Sequence, residues 1–313
     1  MKVAITGAAG YIGSLLVQAH AARGDTVHAL TRNPASIASA AGVSVFAADL
    51  ATPETIPAAF LERVDVLYHC AAELTREGLM QRVNVEGTQA LLALARGRIR
   101  HWVQLSTVAV YGQPRSGVVW EHSSIRPDDT YARTKRDADA LILANADDGF
   151  SHTILRPSTV IGPRMRNRSI YSLLDALERR LFFFIGRPGA ILNYVHEENV
   201  ISALLLCGER SEARYRVYNL SQDCSIELAI SIVAAAIQRP SPRLRVPESF
   251  ARIAARVGAA MPGFPLTSAR IDALTSRVEY PVTRIGAELA YEHEKPLNAA
   301  LHELAILWKR SRT

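Results

Sequence analysis

The sequence comprises 313 residues, of which 49% are hydrophobic and 21% charged, with a formal net charge of +6 at pH 7. This is the composition of a globular chain with a large buried core, and it excludes an intrinsically disordered protein. The cysteines, Cys70, Cys207 and Cys224, are too widely spaced to indicate a disulfide framework or a metal site. The sequence shows no apolar run of membrane-spanning length, and it begins with a strand pattern where a signal peptide would lie. We therefore expect a cytoplasmic protein without an integral membrane segment or a bound metal.

The positive charge leaves two kinds of partner open, nucleic acids and small anionic substrates. The first half of the chain shows no long basic run, so we expect a small-molecule substrate and no nucleic-acid partner. The densest basic stretch is residues 163–168. It is interpreted either as a contact for a substrate anion or as a solvated surface loop.

A glycine-rich turn near the N-terminus, residues 6–13, follows a short apolar strand and precedes a helical pattern. Gly7 permits the tight turn, Gly10 allows the backbone to approach a pyrophosphate, and Gly13 allows the helix to pack closely on the strand. The start of the helix offers free N–H groups and a positive dipole end to phosphates. The turn therefore predicts dinucleotide binding, with Gly7, Gly10, Tyr11 and Ile12 as cofactor contacts.

The end of the second strand bears on the choice of cofactor. An acidic residue there would accept hydrogen bonds from the adenosine ribose and favour NAD, whereas an arginine would accommodate a 2′-phosphate and favour NADP. The sequence has Thr31 and Arg32 at this point and no acid. We therefore expect an NAD(P) cofactor, with a preference for NADP through Arg32.

Strand and helix patterns alternate up to residue 105, which predicts a doubly wound parallel sheet. Ligands of such sheets lie beyond the carboxyl ends of the strands. The predicted cofactor contacts at these ends, besides Arg32, are Asp49, Leu50, Ala71, Ala72 and Ser106. Asp49 is interpreted either as an acceptor for the adenine amino group or as a cap of the next turn, and Leu50 as a cover for the adenine ring.

Tyr131 and Lys135 lie four residues apart in a predicted helix after the fifth strand, so their side chains share one helical face. A nearby ammonium, together with a cationic nicotinamide, is expected to lower the pKa of the Tyr131 phenol. Tyr131 would then exchange a proton with a substrate hydroxyl or carbonyl. Thr107 is expected to donate to the same oxygen, and Lys135 to hold the nicotinamide ribose.

The chain resembles the extended short-chain dehydrogenase/reductase superfamily, in particular its NAD-dependent epimerase/dehydratase type. The resemblance covers nearly the full length and rests on TGAAGYIG at 6–13, Asp49-Leu50, HCAA at 69–72, NVEGT at 84–88, STVAVYG at 106–112, Tyr131 with Lys135, and LRPSTVIGP at 155–163. It implies Tyr131, Lys135 and Thr107 as the catalytic residues and Pro157 as a further cofactor contact. Among substrate contacts it implies Thr107, Thr159 and Arg277. At the position of Thr159 the family often has asparagine, and this departure weakens the implied nucleotide-sugar contact.

The resemblance implies an α/β fold, a Rossmann-type doubly wound parallel sheet with a smaller, mostly helical C-terminal substrate lobe. Residues 1–165 would form the NAD(P)-binding domain, with returning segments near 190–220, and residues 166–313 the interleaved substrate lobe. A homodimer through two helices of the nucleotide-binding domain is the family expectation. The aromatic run at 182–185 is interpreted as a substrate-pocket lining, a membrane contact or a buried strand.

The function expected first is hydride transfer between nicotinamide and a secondary alcohol or ketone, as a nucleotide-sugar 4-ketoreductase. Residues 163–168 and Arg277 motivate this substrate class. Three alternatives remain open: an epimerase that retains NAD, a hydroxysteroid-dehydrogenase-like alcohol dehydrogenase or ketoreductase, and a non-catalytic NADP-binding sensor. The short segment between Ala72 and Asn84 favours the second of these.

Overall fold

The computed structural model describes residues 1–145, 149–165, 169–258 and 266–312. The strands are β1 (Lys2–Thr6), β2 (Thr26–Thr31), β3 (Val43–Ala47), β4 (Val66–His69), β5 (His101–Leu105), β6 (Ser116–Val118), β7 (Ser151–Pro157), β8 (Thr159–Ile161), β9 (Phe184–Ile185), β10 (Ile191–His196), β11 (Arg216–Leu220), β12 (Gln222–Ser225), β13 (Arg245–Val246) and β14 (Arg277–Glu279). The helices are α1 (Tyr11–Ala22), α2 (Glu77–Met80), α3 (Gly87–Ala95), α4 (Thr130–Ala144), α5 (Ser169–Glu178), α6 (Glu197–Glu209), α7 (Ile226–Ala236), α8 (Glu248–Gly258), α9 (Ser268–Thr275), α10 (Thr283–Leu289) and α11 (Leu297–Arg310).

A seven-stranded parallel sheet with the order β11-β7-β5-β4-β1-β2-β3 forms the centre of the fold. The fold class predicted from the sequence is confirmed: strands alternate with helices, and the order reverses on the two sides of β1. The last strand of the sheet, β11, comes from the second half of the chain and pairs with β7 in register from Arg216 opposite Thr153 to Leu220 opposite Pro157.

Successive side chains of the strands point to opposite faces of this sheet, and each face is buried by its own helices. Val3 and Ile5 pack with residues of α1 and α6, such as Leu16 and Leu204. The intervening Ala4 packs on the other face, with residues of α3 and α4. Both faces are therefore apolar, as the continuous apolar strand runs predict.

The C-terminal part is mostly helical, with short strands between the helices. Its core joins α5, α7 and α11 through side chains such as Leu174, Ile230 and Leu301. Strand β10 lies in a separate three-stranded sheet with β8 and β12, while β9 pairs with β13. The aromatic run at 182–185 thus ends in a short buried strand.

Two buried histidines couple the stability of the fold to pH. Burial lowers the pKa of His69 to about 3 and that of His101 to about 4. Both values lie below the ordinary value of 6.5, so the unfolded chain binds more protons than the folded protein once the pH falls below 6.5. Their stabilising contribution is therefore complete at neutral pH and is lost on acidification.

We expect the free energy of unfolding to fall between pH 6.5 and 4 by about 1.4 kcal/mol per pH unit for each of these histidines. Urea titrations across this range measure the slope. The variant His101→Gln should show a shallower slope, whereas His122→Gln, at an exposed site, should keep the wild-type slope. Equal slopes in the two variants would contradict the assignment to buried histidines.

Candidate active site

The glycine-rich turn brings the carboxyl ends of β1 and β4 together at the start of α1. Gly7 has a φ of +65°, and a Cβ there would lie 2.8 Å from the Ala71 Cα. The Gly10 amide donates to the Gly7 carbonyl at 2.7 Å, and a Cβ on Gly13 would overlap that same carbonyl. The three glycines thus leave a narrow backbone cradle at a helix N-terminus, which fits the pyrophosphate of a dinucleotide.

The next two predicted contacts, Tyr11 and Ile12, direct their side chains into the protein. Ile12 belongs to the core of the main sheet, and Tyr11 packs against both this core and that of the C-terminal part. Burial and the neighbouring Glu197 carboxylate raise the pKa of the Tyr11 phenol. What these two residues offer to a cofactor is therefore their backbone N–H groups in the first turn of α1, and their predicted contact with it stays a prediction.

The end of β4 is held by a chain of buried hydrogen bonds. The Thr6 hydroxyl lies 2.7 Å from His69 Nδ1 and accepts from the Ala71 amide at 3.2 Å. His69 Nε2 lies 3.0 Å from the Thr88 hydroxyl. These contacts fix the backbone of Ala71 and the adjoining Ala72 at the carboxyl edge of the sheet, where both were predicted to face the cofactor.

Cys70, between these residues, is not poised as a nucleophile. Burial raises the pKa of its thiol to about 12, although the nearby Lys135 ammonium acts in the opposite direction. A thiol with such a pKa carries almost no thiolate at neutral pH, so Cys70 serves as a small packing residue.

At the ends of β2 and β3, the predicted adenosine contacts have different surroundings. Arg32 is exposed directly after β2. Asp49 Oδ1 accepts a hydrogen bond from the Ala51 amide at 2.9 Å and so closes a local turn. This is the contact expected if Asp49 caps the turn, the alternative to its interpretation as an acceptor for the adenine amino group. Leu50 is buried in the core and packs on Gly87, so its side chain supports α3.

The predicted catalytic pair lies at the start of α4, whose first turn is capped by the Asp129 carboxylate. Lys135 is buried, and its Nζ donates to the Leu105 carbonyl, the last of β5, at 2.7 Å. Tyr131 lies one helical turn earlier on the same face, partly buried. The ammonium therefore joins α4 to the carboxyl end of β5.

The two hydroxyl residues after β5 have separate roles. Thr107 Oγ1 accepts the Ala109 amide at 3.2 Å, so its acceptor is engaged while its hydrogen can still donate. Ser106 is buried, and its hydroxyl donates to the Asp139 carboxylate at 2.8 Å. Thr107 therefore keeps its donor hydrogen, whereas the Ser106 hydroxyl is engaged in the layer beneath, and the role of Thr107 toward a substrate oxygen stays a prediction.

Asn84 braces the catalytic helix from a neighbouring π-helix, Gln81–Glu86. Its Nδ2 donates to the Thr134 hydroxyl at 3.0 Å, and that hydroxyl donates to the Tyr131 carbonyl at 2.9 Å. Its Oδ1 accepts the Glu73 amide at 2.7 Å. The amide thereby ties the first turn of α4 to the loop after β4, and the locally widened helix places it there.

The protein groups around Tyr131 act on its pKa in one direction, whereas the lowering predicted from the sequence also involves a cationic nicotinamide. Burial, and then the Asp139 and Asp129 carboxylates, raise the pKa of the phenol. Burial also lowers the pKa of the Lys135 ammonium, while Asp139 acts against this change. Tyr131 is therefore a neutral phenol at physiological pH, a form that can donate a proton.

A buried charge network lies beneath the catalytic pair, and its central residue, Asp139, was missed by sequence analysis. Arg156 donates to Asp139 Oδ2 through Nε at 3.2 Å and Nη2 at 3.1 Å. Its Nη1 donates to the Tyr111 hydroxyl at 2.9 Å, which in turn donates to Asn219 at 2.9 Å. The available signal was the spacing, because Asp139 follows Lys135 by one further helical turn.

The end of β7 carries an unpaired polar group beside the predicted contact Pro157. Ser158 is buried, and within the described ranges its hydroxyl has no hydrogen-bond partner. A buried hydroxyl without a partner is costly, and a polar group of a bound ligand would satisfy it. With the glycine cradle, this orphan hydroxyl at the carboxyl edge of the sheet fits a nicotinamide dinucleotide.

The predicted substrate residues Thr159 and Arg277 lie on two short strands outside the central sheet, β8 and β14. Thr159 is exposed in β8. Arg277 donates through Nη2 to the Arg187 carbonyl at 2.8 Å and to the Pro188 carbonyl at 3.2 Å. Its guanidinium thus closes a loop of the C-terminal part.

An open cavity of about 660 Å³ adjoins Arg277 and is lined by Gly186, Arg187, Arg245, Pro247, Glu248 and Arg277. Arg245 is paired with Glu227 at 2.7 Å. In the predicted basic stretch, Arg164 is exposed, and residues 166–168 lie outside the described residues.

Among the described residues, no three metal-binding side chains of histidine, cysteine, aspartate or glutamate come together as an ion site. Over the same ranges, none of the helices has the length and apolarity needed to span a membrane.

The sequence profile of the NAD dependent epimerase/dehydratase family matches residues 3–221. The chain belongs to this family. It is therefore an enzyme of the extended short-chain dehydrogenase/reductase type, as predicted, and its curated relatives include a ketoreductase and a dTDP-glucose 4,6-dehydratase.

Two curated relatives match most of the chain. A 4-hydroxy-2-methyl-3-oxo-4-farnesyl-3,4-dihydroquinoline-1-oxide ketoreductase of Stigmatella aurantiaca is 30% identical over 307 residues, 94% of this chain and 90% of that protein. Sterol demethylase protein B of Methylococcus capsulatus is 31% identical over 259 residues, 79% of this chain and 78% of that protein.

Among solved structures, the UDP-glucuronic acid 4-epimerase of Bacillus cereus in complex with NAD superposes with a TM-score of 0.77 at 20% identity, covering 100% of both chains. At this identity the match shows the shared fold.

Proposed function

We propose that the protein is an NAD(P)-dependent ketoreductase that converts a ketone to a secondary alcohol. The observation that carries the proposal is the placement of Tyr131 on one helical face with the buried Lys135, whose ammonium is held at the carboxyl end of β5. A neutral phenol is the form required to protonate a carbonyl oxygen. The hydroxyl hydrogen of Thr107, at the neighbouring strand end, supports the same oxygen.

The roles of the residues follow from this arrangement. Thr107 orients the carbonyl oxygen with a hydrogen bond, and Tyr131 transfers its phenolic proton to that oxygen as negative charge develops on it. A bound reduced nicotinamide supplies the hydride that the carbonyl carbon accepts. Lys135 stabilises the resulting phenolate until solvent returns a proton to it.

We propose an apolar ring-bearing or prenylated ketone as the substrate. Two curated relatives that match most of the chain are named for a farnesyl-bearing quinoline oxide and for a sterol. The predicted phosphate contact Arg277 already bonds backbone carbonyls, and its neighbour in the cavity, Arg245, pairs with Glu227. The short segment between Ala72 and Asn84 supports the same substrate class, because it favours the hydroxysteroid-dehydrogenase-like alternative.

A nucleotide sugar is the second candidate substrate, either for 4-keto reduction or for epimerisation with retained NAD. The observation in its favour is the open cavity lined by Arg187, Arg245 and Arg277, where cations would meet a diphosphate if the loop contacts rearranged. Solved neighbours with this fold bind UDP-sugars and NAD.

The test begins with the nucleotide released from freshly purified, denatured protein. We expect to find no stoichiometric dinucleotide in it. In a substrate screen, we then expect the protein to oxidise NADPH or NADH in the presence of steroid or prenylated quinolone ketones, and not in the presence of dTDP-4-keto sugars. Turnover of the sugars instead would transfer the proposal to the second candidate. Stoichiometric bound NAD with no net oxidation would contradict ketone reduction and indicate an internally cycled reaction such as epimerisation.

We further propose that Arg32 selects NADP through the 2′-phosphate. In the variant Arg32→Asp, the Kd of NADPH should rise by at least about tenfold, because a charge-assisted contact is replaced by repulsion, while that of NADH should change little. Fluorescence titration of apo-protein measures both constants. The control Arg98→Asp makes the same charge change at an exposed site before β5 and should leave both unchanged. An equal effect on both cofactors at Arg32 would contradict the proposal.

A further inference from the structure

Helix α8 presents an unusual surface, with large apolar side chains on the outside. Phe250, Ile253 and Val257 are 64%, 56% and 73% exposed. They lie three and four residues apart, so they form one stripe along the helix, here named the α8 face. The side of the helix that packs against the protein carries only small residues, Ala251 and Ala255.

The inward side is firmly anchored, so the exposure of the α8 face is a property of the folded protein. Ala251 and Ala255 pack with Ile185 of β9 and Ile271 of α9. Arg252 pairs with Glu248 at 2.8 Å and with Asp272 of α9 at 2.7 Å. The orientation of α8 is therefore set by both packing and charge pairs.

Arginines border the α8 face. Residues 243–257 contain four arginines and one glutamate. Arg252 and Arg256 lie along one side of the stripe, while Arg243 is exposed just before the helix, next to Leu244, which is 65% exposed. An apolar stripe flanked by cations is the pattern of helices that lie in the interface of a bilayer.

We propose that the α8 face docks the protein on the surface of a membrane containing anionic phospholipid. The apolar side chains would enter the boundary between headgroups and acyl chains, and Arg243 and Arg256 would contact lipid phosphates. Charge favours anionic lipid over a second copy of this chain as the occupant, because a symmetric contact between antiparallel α8 helices would bring the two rows of arginines together.

The docking face adjoins the open cavity next to Arg277. Arg115, in the segment between Gly112 and β6, donates to Glu248 at the start of α8 at 2.8 Å. Glu248 also lines the open cavity next to Arg277. Docking at α8 would thus hold this side of the protein near a bilayer, where a ketone dissolved in lipid would be available. The link to a lipid-dissolved ketone rests on the proposed function, whereas the docking itself does not.

Flotation of the full-length protein with vesicles tests the proposal without any measurement of turnover. We expect binding to vesicles of equal parts phosphatidylcholine and phosphatidylglycerol, and at least about tenfold weaker binding to phosphatidylcholine alone. The triple variant Phe250→Gln, Ile253→Gln, Val257→Gln should bind anionic vesicles at least about tenfold more weakly. The double variant Arg243→Glu, Arg256→Glu should lose the preference for anionic lipid.

The matched control is Tyr215→Gln, Leu228→Gln, Leu307→Gln, which removes three other exposed apolar side chains and should bind like the wild type. Circular dichroism melting of all variants checks that they fold. Failure of the wild type to float with anionic vesicles would overturn the proposal, as would an equal loss in the control. The face would be assigned to a second copy by two results together: the wild type does not bind vesicles, and sedimentation velocity shows that only the triple variant of the α8 face changes its oligomeric state.

Discussion

Replacing Tyr131 with phenylalanine is expected to lower kcat for ketone reduction by roughly 10²- to 10⁴-fold, the contribution typical of a positioned acid. The substitution removes only the hydroxyl, so the packing of the ring in the first turn of α4 is kept. Cofactor affinity should change little, because Lys135 and the glycine turn are untouched. Steady-state kinetics and cofactor titration on the same preparation separate the two effects.

Tyr215→Phe is the matched control, since it removes the hydroxyl of an exposed tyrosine directly before the amino end of β11. It should leave kcat unchanged. Turnover of Tyr131→Phe at a rate near that of wild type would remove Tyr131 from the mechanism. It would also end the acid–base assignment for every enzymatic alternative that uses the same pair.

The second large effect is expected at Asp139, which we regard as a positioning residue. Asp139→Asn should destabilise the protein by about 3–5 kcal/mol, because it leaves the buried Arg156 guanidinium without its counter-charge. Urea denaturation measures the loss. Asp137→Asn, two residues earlier at a partly exposed ion pair with Arg136, should cost at most about 1 kcal/mol.

Two further measurements distinguish a positioning role from a purely structural one. The Asp139 carboxylate raises the pKa of Tyr131, so the alkaline limb of the pH–rate profile should move to lower pH in Asp139→Asn. The double variant Asp139→Leu, Arg156→Met should be more stable than Asp139→Asn, because no unpaired charge remains. An unchanged pH profile would limit Asp139 to a structural role.

Much of the fold was predictable from local patterns. Apolar runs bounded by turn residues predicted the first five strands of the central sheet, β1 to β5, and the TGAAGYIG turn at 6–13 predicted the first strand-turn-helix unit. The four-residue spacing of Tyr131 and Lys135 depends only on helical geometry, so it could be recognised before the tertiary structure was known.

The remaining features depend on contacts between distant parts of the chain. Asp139 gains its role from Arg156 on β7 and Ser106 after β5, a pairing that no local pattern encodes. The direction of the Tyr131 pKa follows first from burial, which only the folded structure shows, although the two carboxylates that add to it, Asp129 and Asp139, lie on or next to α4 itself. Strand β10 has an ordinary strand sequence, and only the tertiary arrangement places it in the small sheet with β8 and β12.

The addition of β11 at the edge of the central sheet has a consequence for the order of events during synthesis. β7 can pair with β5 as soon as both strands have been synthesised, but its other edge has no partner strand until β11, which ends at Leu220, has left the ribosome. In that interval, the unpaired backbone groups of β7 are available to other nascent chains, a known route to aggregation. A fragment ending at residue 165 would keep this edge permanently open and would leave Tyr111 without Asn219. The nucleotide-binding half thus matures only after much of the C-terminal half has been made.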